Sequence, residues 1–496
     1  MKKLILLILV LFSCSPNATT EPTKKQRPNI LFIEVDDLTA KYLGCFGAEF
    51  ARTPTIDKLS ETGVVFTNAV VQGAMCTPSR NSLITTLYPH NLGLYHNLDI
   101  KSLPKGIWTF PKALQKEGYY TSWVGKNHLL PYRWGIEADN RIDYMNKGMQ
   151  MEMGFDDVYQ SMGRAMVLKI AKDQFSKEGC WEEGRDVYGD FLFKNNLLDT
   201  FMTEGNSTPT SLNPDTEYMD GHFTTVAIDK MRNYTGENPF FMWVNFSGPH
   251  TPFNVPKEYL RRFNKKDMPE PINPNNETFD LPKNLKSHPN QFDKQRTAIY
   301  RKNYTASIAY MDDQVGRLVD FVNTSKYSDN TVIVFFSDHG IMTGDHGTLG
   351  KETLFKEVLN PTLIISYPKK YKARWVTTPV ELLDLGKTVL DIAETKENTL
   401  NETPNGNSLL PLLTGEGEFD GNGIVFSEIE GFRSVFNGDY KYIHNAQTPI
   451  LFDLNECPDE TNNVFKEEPE MVTHLKNAMN EWLLKSGGQI KNVVAY

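Results

Sequence analysis

Cys76-Thr77-Pro78-Ser79-Arg80 places a thiol two residues before a Pro and three before a Ser. Both residues suit the first turn of a helix, and Asn81–Leu87 reads as its continuation. A side chain at that position faces the free N–H groups of the first turn, which favour anions. Alone, it reads rather as a buried cysteine at a turn, so its surroundings must decide. Three apolar, β-branched runs end in residues that could surround it. Asn29–Val35 runs into Asp36-Asp37, Phe240–Phe246 into Ser247-Gly248-Pro249-His250, and Thr331–Phe336 into Ser337-Asp338-His339-Gly340. Gly125-Lys126-Asn127-His128 and Gly350-Lys351 add cations and a further imidazole.

Runs this hydrophobic read as strands buried on both faces, which predicts an α/β sheet. Helices are expected between them, over Thr109–Glu117, Thr224–Arg232 and the long Ala298–Val322. Ligands of such sheets bind beyond the carboxyl ends of the strands, where all three runs place their acidic or His residues. Two stretches, roughly Tyr132–Tyr218 and residues 262–296, read as long surface insertions that shape a pocket. After Gly415 the pattern changes to short strands (Gly423–Glu428, Arg433–Phe436, Tyr440–His444) and a last helix, Pro469–Leu484. The expected organisation is a catalytic domain over 28–415 and a small C-terminal α+β subdomain over 416–496.

The chain has 496 residues, 40% of them hydrophobic, ample for a large core. A net charge of −10 argues against a dedicated nucleic-acid binder, but a local cationic pocket can still attract an anion. Met1-Lys2-Lys3, an apolar run from Leu4 to Phe12 and Ser13-Cys14 read as a signal peptide over 1–13. Its Leu-Phe-Ser-Cys ending resembles a bacterial lipobox. Cys14 would then carry the lipid, residues 14–27 would be a tether, and the protein would be exported to the periplasm or cell surface. A plain secretory signal is the alternative. No other apolar run reaches the roughly 20 residues of a spanning helix. Cys45, Cys180 and Cys457 allow at most one disulfide, and there is no CxxC pair for zinc.

Together these motifs resemble the type I, formylglycine-dependent sulfatases of the alkaline-phosphatase-like superfamily, nearest to the branch of bacterial glycan and iduronate sulfatases. Cys76-Thr-Pro-Ser-Arg80 matches the family's Cys-x-Pro-Ser-Arg core, and the other elements follow in the family's order across most of residues 28–465. Leu451-Phe-Asp-Leu454 and Glu460-Thr-Asn-Asn463 resemble its C-terminal piece. There are departures. Ile84-Thr85-Thr86 stands where the family continues Leu-Thr-Gly, Asn127 replaces a Trp, and Asp338-His339 replaces the commoner Asp-Asn.

The resemblance implies a large, mixed, mostly parallel sheet sandwiched by helices. It implies conversion of Cys76 to formylglycine by a formylglycine-generating or anaerobic sulfatase-maturing enzyme. It implies a divalent metal, Ca2+ or alternatively Mg2+, on Asp36, Asp37, residue 76, Asp338 and His339; carboxylate oxygens suit a hard cation. Lys126, Lys351 and Arg80 would bind sulfate oxygens. Hydrated formylglycine would attack sulfur, with His250 protonating the leaving group beside Lys351 and His128 taking the proton that restores the aldehyde. His96 and His346 are candidate sugar contacts, as are Arg133, Trp134 and Trp181 from the insertions. The expected substrate is a sulfated polysaccharide or its oligosaccharides. Competing readings are a phosphoester or phosphonate hydrolase of the same superfamily, which would favour Ser or Thr at position 76, and an inactive glycan-binding relative.

Overall fold

The computed structural model describes residues 27–97, 104, 106–129, 146–203, 209–280, 294–396, 404–445 and 448–487. The signal peptide, Cys14, Arg133 and Trp134 lie outside them. Among the described residues no helix is long and apolar enough to cross a membrane.

Eight strands build the main sheet: β1 (Asn29–Asp36), β2 (Val64–Phe66), β3 (Tyr120–Lys126), β4 (Asp157–Ser161), β5 (Phe240–Pro249), β6 (Thr331–Ser337), β7 (Leu363–Ser366) and β8 (Arg374–Val376). Their spatial order is β8-β2-β7-β6-β1-β5-β3-β4. β1 is parallel to both β5 and β6, and β3 is parallel to β5 and β4; β7 is antiparallel to β6 and β2. The three apolar runs are therefore neighbours at the sheet's centre. Alternation along β1 sends Ile30 and Phe32 to one core and Leu31, Ile33 and Val35 to the other.

Helices cover both cores. On the first lie α2 (Cys76–Thr85), α3 (Phe110–Lys116) and α9 (Asp384–Ile392). On the second lie α1 (Pro54–Thr62), α4 (Arg164–Glu178), α5 (Val187–Lys194), α6 (Leu198–Thr203), α7 (Met219–Asn233) and α8 (Lys294–Thr324). The sequence placed α3, α7 and α8 to within a few residues. The stretch 132–218 needs correction as a mere surface insertion: its described part supplies edge strand β4 and helices α4, α5 and α6. Val167, Tyr188 and Phe201, one from each of these helices, pack into the second core, from within Gly- and Asp-rich surroundings. Trp181 is likewise no sugar contact. It is buried over Gly189, and its Nε1 donates to Asp190 at 2.8 Å.

The C-terminal part is a four-stranded antiparallel sheet of β9 (Val425–Ile429), β10 (Phe432–Phe436), β11 (Tyr440–His444) and β12 (Ile450–Asp453), under α10 (Pro469–Lys485). Leu475, Met479, Trp482 and Leu483 of α10 meet Val435, Tyr442 and Leu451 of the sheet. β12 is a strand that sequence reading treated only as a motif. β9 joins the larger part through Glu428 N–H, which donates to the Gln72 carbonyl at 2.9 Å.

Candidate active site

Cys76 opens α2, after Met75 in extended backbone, and is fully buried. Its Sγ stands 3.0 Å from Lys351 Nζ, 3.3 Å from His339 Nε2, 3.4 Å from Asp36 Oδ1 and 3.9 Å from Lys126 Nζ. Four chain segments thus meet at one sulfur. The positions follow from topology: Asp36 ends β1, Asp338 and His339 follow the parallel neighbour β6, and Lys126 ends β3. Ser79 Oγ ties α2 to the Asp338 carbonyl at 2.6 Å.

Asp36, Cys76, Asp338 and His339 each offer a donor atom, and these atoms all lie within 4.8 Å of one another. Two carboxylates, an imidazole and residue 76 suit a divalent cation. His339 Nδ1 lies 2.9 Å from the Gly340 carbonyl, which leaves Nε2 toward Cys76 as the ligating lone pair. The ammonium group of Lys126, against Asp36, marks the same cluster as a place that draws positive charge. Asp37, expected among the ligands, is outside this group of four. Its left-handed backbone (φ 67) turns the carboxylate to Lys351 Nζ at 2.9 Å, His339 Nδ1 at 3.3 Å and His250 Nε2 at 3.6 Å.

Arg80 is fully buried one turn into α2. Its Nε donates to Asp338 Oδ2 at 2.9 Å, and its Nη1 contacts Asn245 Oδ1 at 3.0 Å and Glu34 Oε2 at 3.2 Å. Nη2 has no hydrogen-bond partner among the described residues. Glu34 and Asn245 are site residues that sequence reading missed. The signal was available: each is a lone polar residue inside an apolar strand, and they face one another in the β1–β5 register. Burial pushes the Glu34 carboxyl up to about 7 against the pull of Arg80.

His250 hangs from the end of β5. Its Nδ1 is 2.6 Å from the Thr251 carbonyl, which leaves Nε2 toward Asp37. The loop is held from behind. Arg164 Nη2 donates to the carbonyls of His250, at 3.1 Å, and Pro252. Asp220 accepts from the N–H groups of Ser247 at 2.7 Å and Gly248 at 3.1 Å. No motif announced either residue. Tyr304 Oη, on α8, donates to the Asp37 carbonyl at 2.6 Å.

Burial dominates the electrostatics. It brings Lys126 down to about 7, with Lys351 adding to the fall, and pushes the Cys76 thiol up to about 12. His128 falls well below its ordinary value through burial and the charges of Lys126, Arg80 and Lys351, so its ring is neutral. Burial raises Asp338, yet His339, Arg80 and the lysines outweigh it and hold that carboxyl far below the usual range.

Two outlying histidines part company. His96 is part-exposed and pairs with Glu352, the residue after Lys351, so it borders the site. His346, also expected as a sugar contact, has its ring buried, stacked on Phe355 at 3.7 Å and held by Glu277 Oε1 at 2.9 Å.

The family model described as Sulfatase matches residues 28–395, and the one described as N-sulphoglucosamine sulphohydrolase, C-terminal, matches 344–486. The chain is 24% identical to N-acetylglucosamine-6-O-sulfatase of Bacteroides thetaiotaomicron, covering 96% of this chain and 91% of the relative. It is 28% identical to human (Homo sapiens) iduronate 2-sulfatase, covering 71% and 61%. Among solved structures, a protein in complex with its substrate D-glucosamine-2-N,6-O-disulfate superposes with a TM-score of 0.71 at 21% identity, over 93% of this chain and 98% of that one. The phosphonate monoester hydrolase of Agrobacterium radiobacter gives 0.71 at 22%, over 93% and 96%, a likeness of fold. A match over most of the chain, with the buried cysteine, carboxylates and cations gathered as described, places this protein in the sulfatase family, as a sulfuric ester hydrolase.

Proposed function

We propose that the protein removes sulfate esters from a sulfated glycan or its oligosaccharides, using formylglycine made from Cys76 by a maturation enzyme. The observation that carries this is the thiol at the start of α2 within 3.4 Å of Lys351, His339 and Asp36. The relatives named for sulfated amino sugar and iduronate support the substrate class. A lipid on Cys14 would keep the exported enzyme at the cell surface or facing the periplasm.

The residues divide the work. A cation, Ca2+ or Mg2+, on Asp36, Asp338, His339 and residue 76 supplies positive charge against the sulfate oxygens when bound. Asp37 orients Lys351 and His250. Lys126, Lys351 and the open Nη2 of Arg80 bind the sulfate group and offset charge as the S–O bond breaks. His128, neutral in its buried setting, accepts a proton. His250 holds Nδ1–H on the Thr251 carbonyl, so Nε2 donates only once protonated. Burial keeps its pKa down, to about 3, and an arriving sulfate anion raises it where the leaving oxygen needs a proton.

The test is sulfate release from a panel of sulfated glycans and their oligosaccharides by enzyme co-produced with a formylglycine-generating system, with Cys76→Ala as control. Release that the control lacks establishes the reading. Hydrolysis of a phosphonate monoester in its place, with formylglycine verified by mass spectrometry, replaces it.

A further inference from the structure

A groove of about 510 Å³ runs between the short helix Lys257–Arg261, the segment after it and the outer side of α8. Its rim is cationic in a chain of net charge −10: Arg261, Lys265 and Lys302 have no ion-pair partner among the described residues. Arg262 is also present but shares its charge with Asp313 at 3.5 Å, and Asp267 is the one acid of the lining. Ile299, 45% exposed, and the edge of Phe263 give the groove an apolar surface. Asn303 adds an amide. Separated cations, a small aliphatic face and an amide are what a sulfated sugar presents partners for: sulfates, C–H faces and hydroxyls.

Its place relative to the catalytic centre is set by α8. Tyr304 faces the site, with Oη on the Asp37 carbonyl, and Tyr300 precedes it by one turn. Ile299 and Asn303 form the next face, about 100° round the helix. Groove and site therefore lie against adjacent faces of one helix.

We propose that this groove is a second, non-catalytic binding site for the sulfated glycan, holding sugar residues away from the one that loses its sulfate. The proposal rests on the reading of the substrate as a sulfated glycan. It makes the enzyme favour polymer over isolated sugar sulfates, in a salt-dependent way.

The test compares the full chain with Arg261→Gln/Lys265→Gln/Lys302→Gln and with the charge-conserving Arg261→Lys/Lys265→Arg/Lys302→Arg. Retention on immobilised heparin is read as eluting salt, and KM is read on a sulfated polysaccharide and on a monosaccharide sulfate. The Gln variant is expected to elute at lower salt. Its polymer KM rises about five-fold at low ionic strength, while kcat and the monosaccharide KM stay unchanged and the charge-conserving variant behaves as wild type. Unmoved retention and polymer KM would overturn the groove while leaving sulfatase activity standing. Lost retention in a chain that releases no sulfate from any glycan would overturn the groove as a substrate site together with the proposed substrate. An equal loss of binding to double-stranded DNA would overturn the assignment to a glycan, because it marks a general polyanion patch.

Discussion

Arg164 donates from Nη2 to the main-chain carbonyl of His250 at 3.1 Å, across 86 residues of chain. The same nitrogen reaches the Pro252 carbonyl, and the Arg164 N–H donates to Ser247 Oγ at 3.0 Å. One buried guanidinium thereby fixes the backbone on which the His250 imidazole turns. Arg164→Gln should lower kcat by about ten-fold, equivalent to about 1.4 kcal/mol, with a smaller change in KM. The pH profile of kcat/KM should shift as His250 loses its fixed orientation, and Arg164→Lys should restore part of it. An unchanged profile with only a lower melting temperature would reduce Arg164 to a structural role.

Thr86 occupies the left-handed region (φ 53) as the residue that ends α2, a conformation that strains a β-branched side chain. Asn405 holds it, donating from Nδ2 to the Thr86 carbonyl at 2.8 Å. A Cβ at Gly386 would sit 2.4 Å from Thr86 Cγ2. Gly386→Ala, which in an open helix would stabilise by about 1 kcal/mol, should destabilise here. In the Thr86→Gly background it should stabilise. Thermal melts of the four proteins in this cycle decide it; additivity would refute the contact.

Calcium should raise the melting temperature of the matured enzyme, by the equivalent of about 2.7 kcal/mol at a hundred times its Kd. Asp36→Asn and Asp338→Asn should abolish the shift, and a chelator should remove both shift and activity. A shift with magnesium alone would decide the metal's identity the other way.

The pair Glu381 and Asp384, far in sequence from the catalytic motifs, makes stability depend on pH. Burial raises both carboxyls, to about 8 and about 7 from ordinary values of 4.5 and 3.8, with Asp384 pushing Glu381 further. Between those limits the folded protein binds more protons than the unfolded chain, so this pair's contribution to stability falls as pH rises from about 4 to 8. Glu381→Gln, which keeps an acceptor for Tyr88 Oη, should flatten melting temperature against pH in that window. An unaltered slope would show that the pair does not titrate there.

His96 and His346 should behave oppositely. His96→Ala, at the border of the site beside Glu352, should raise KM several-fold with stability unchanged. His346→Ala removes a stacked, buried ring and should cost about 2 kcal/mol of stability or more, with little change in the KM of the enzyme that folds. Substrate-concentration curves and melts on both variants check this.

The sequence by itself determined the strands and the chemistry at their ends. Two-sided burial demands continuous apolar runs, and a parallel sheet puts polar residues at its carboxyl edge, so Asp36, His250, Asp338 and His339 were legible without coordinates. The helix start at Cys76 was legible for a similar reason, since Pro78 and Ser79 are local signals. Tertiary structure alone decided what depends on pairing across the chain. It made Glu34 and Asn245 partners of Arg80, through a β1–β5 register that no local pattern encodes. It set the Asp37 carboxylate beside the donor cluster, against Lys351 and His250. It buried His346 and Trp181, which composition cannot distinguish from surface rings, and it set Arg164 behind His250. Local sequence specifies which elements form and what they carry; the distance between two side chains from different elements is settled only when both cores have packed.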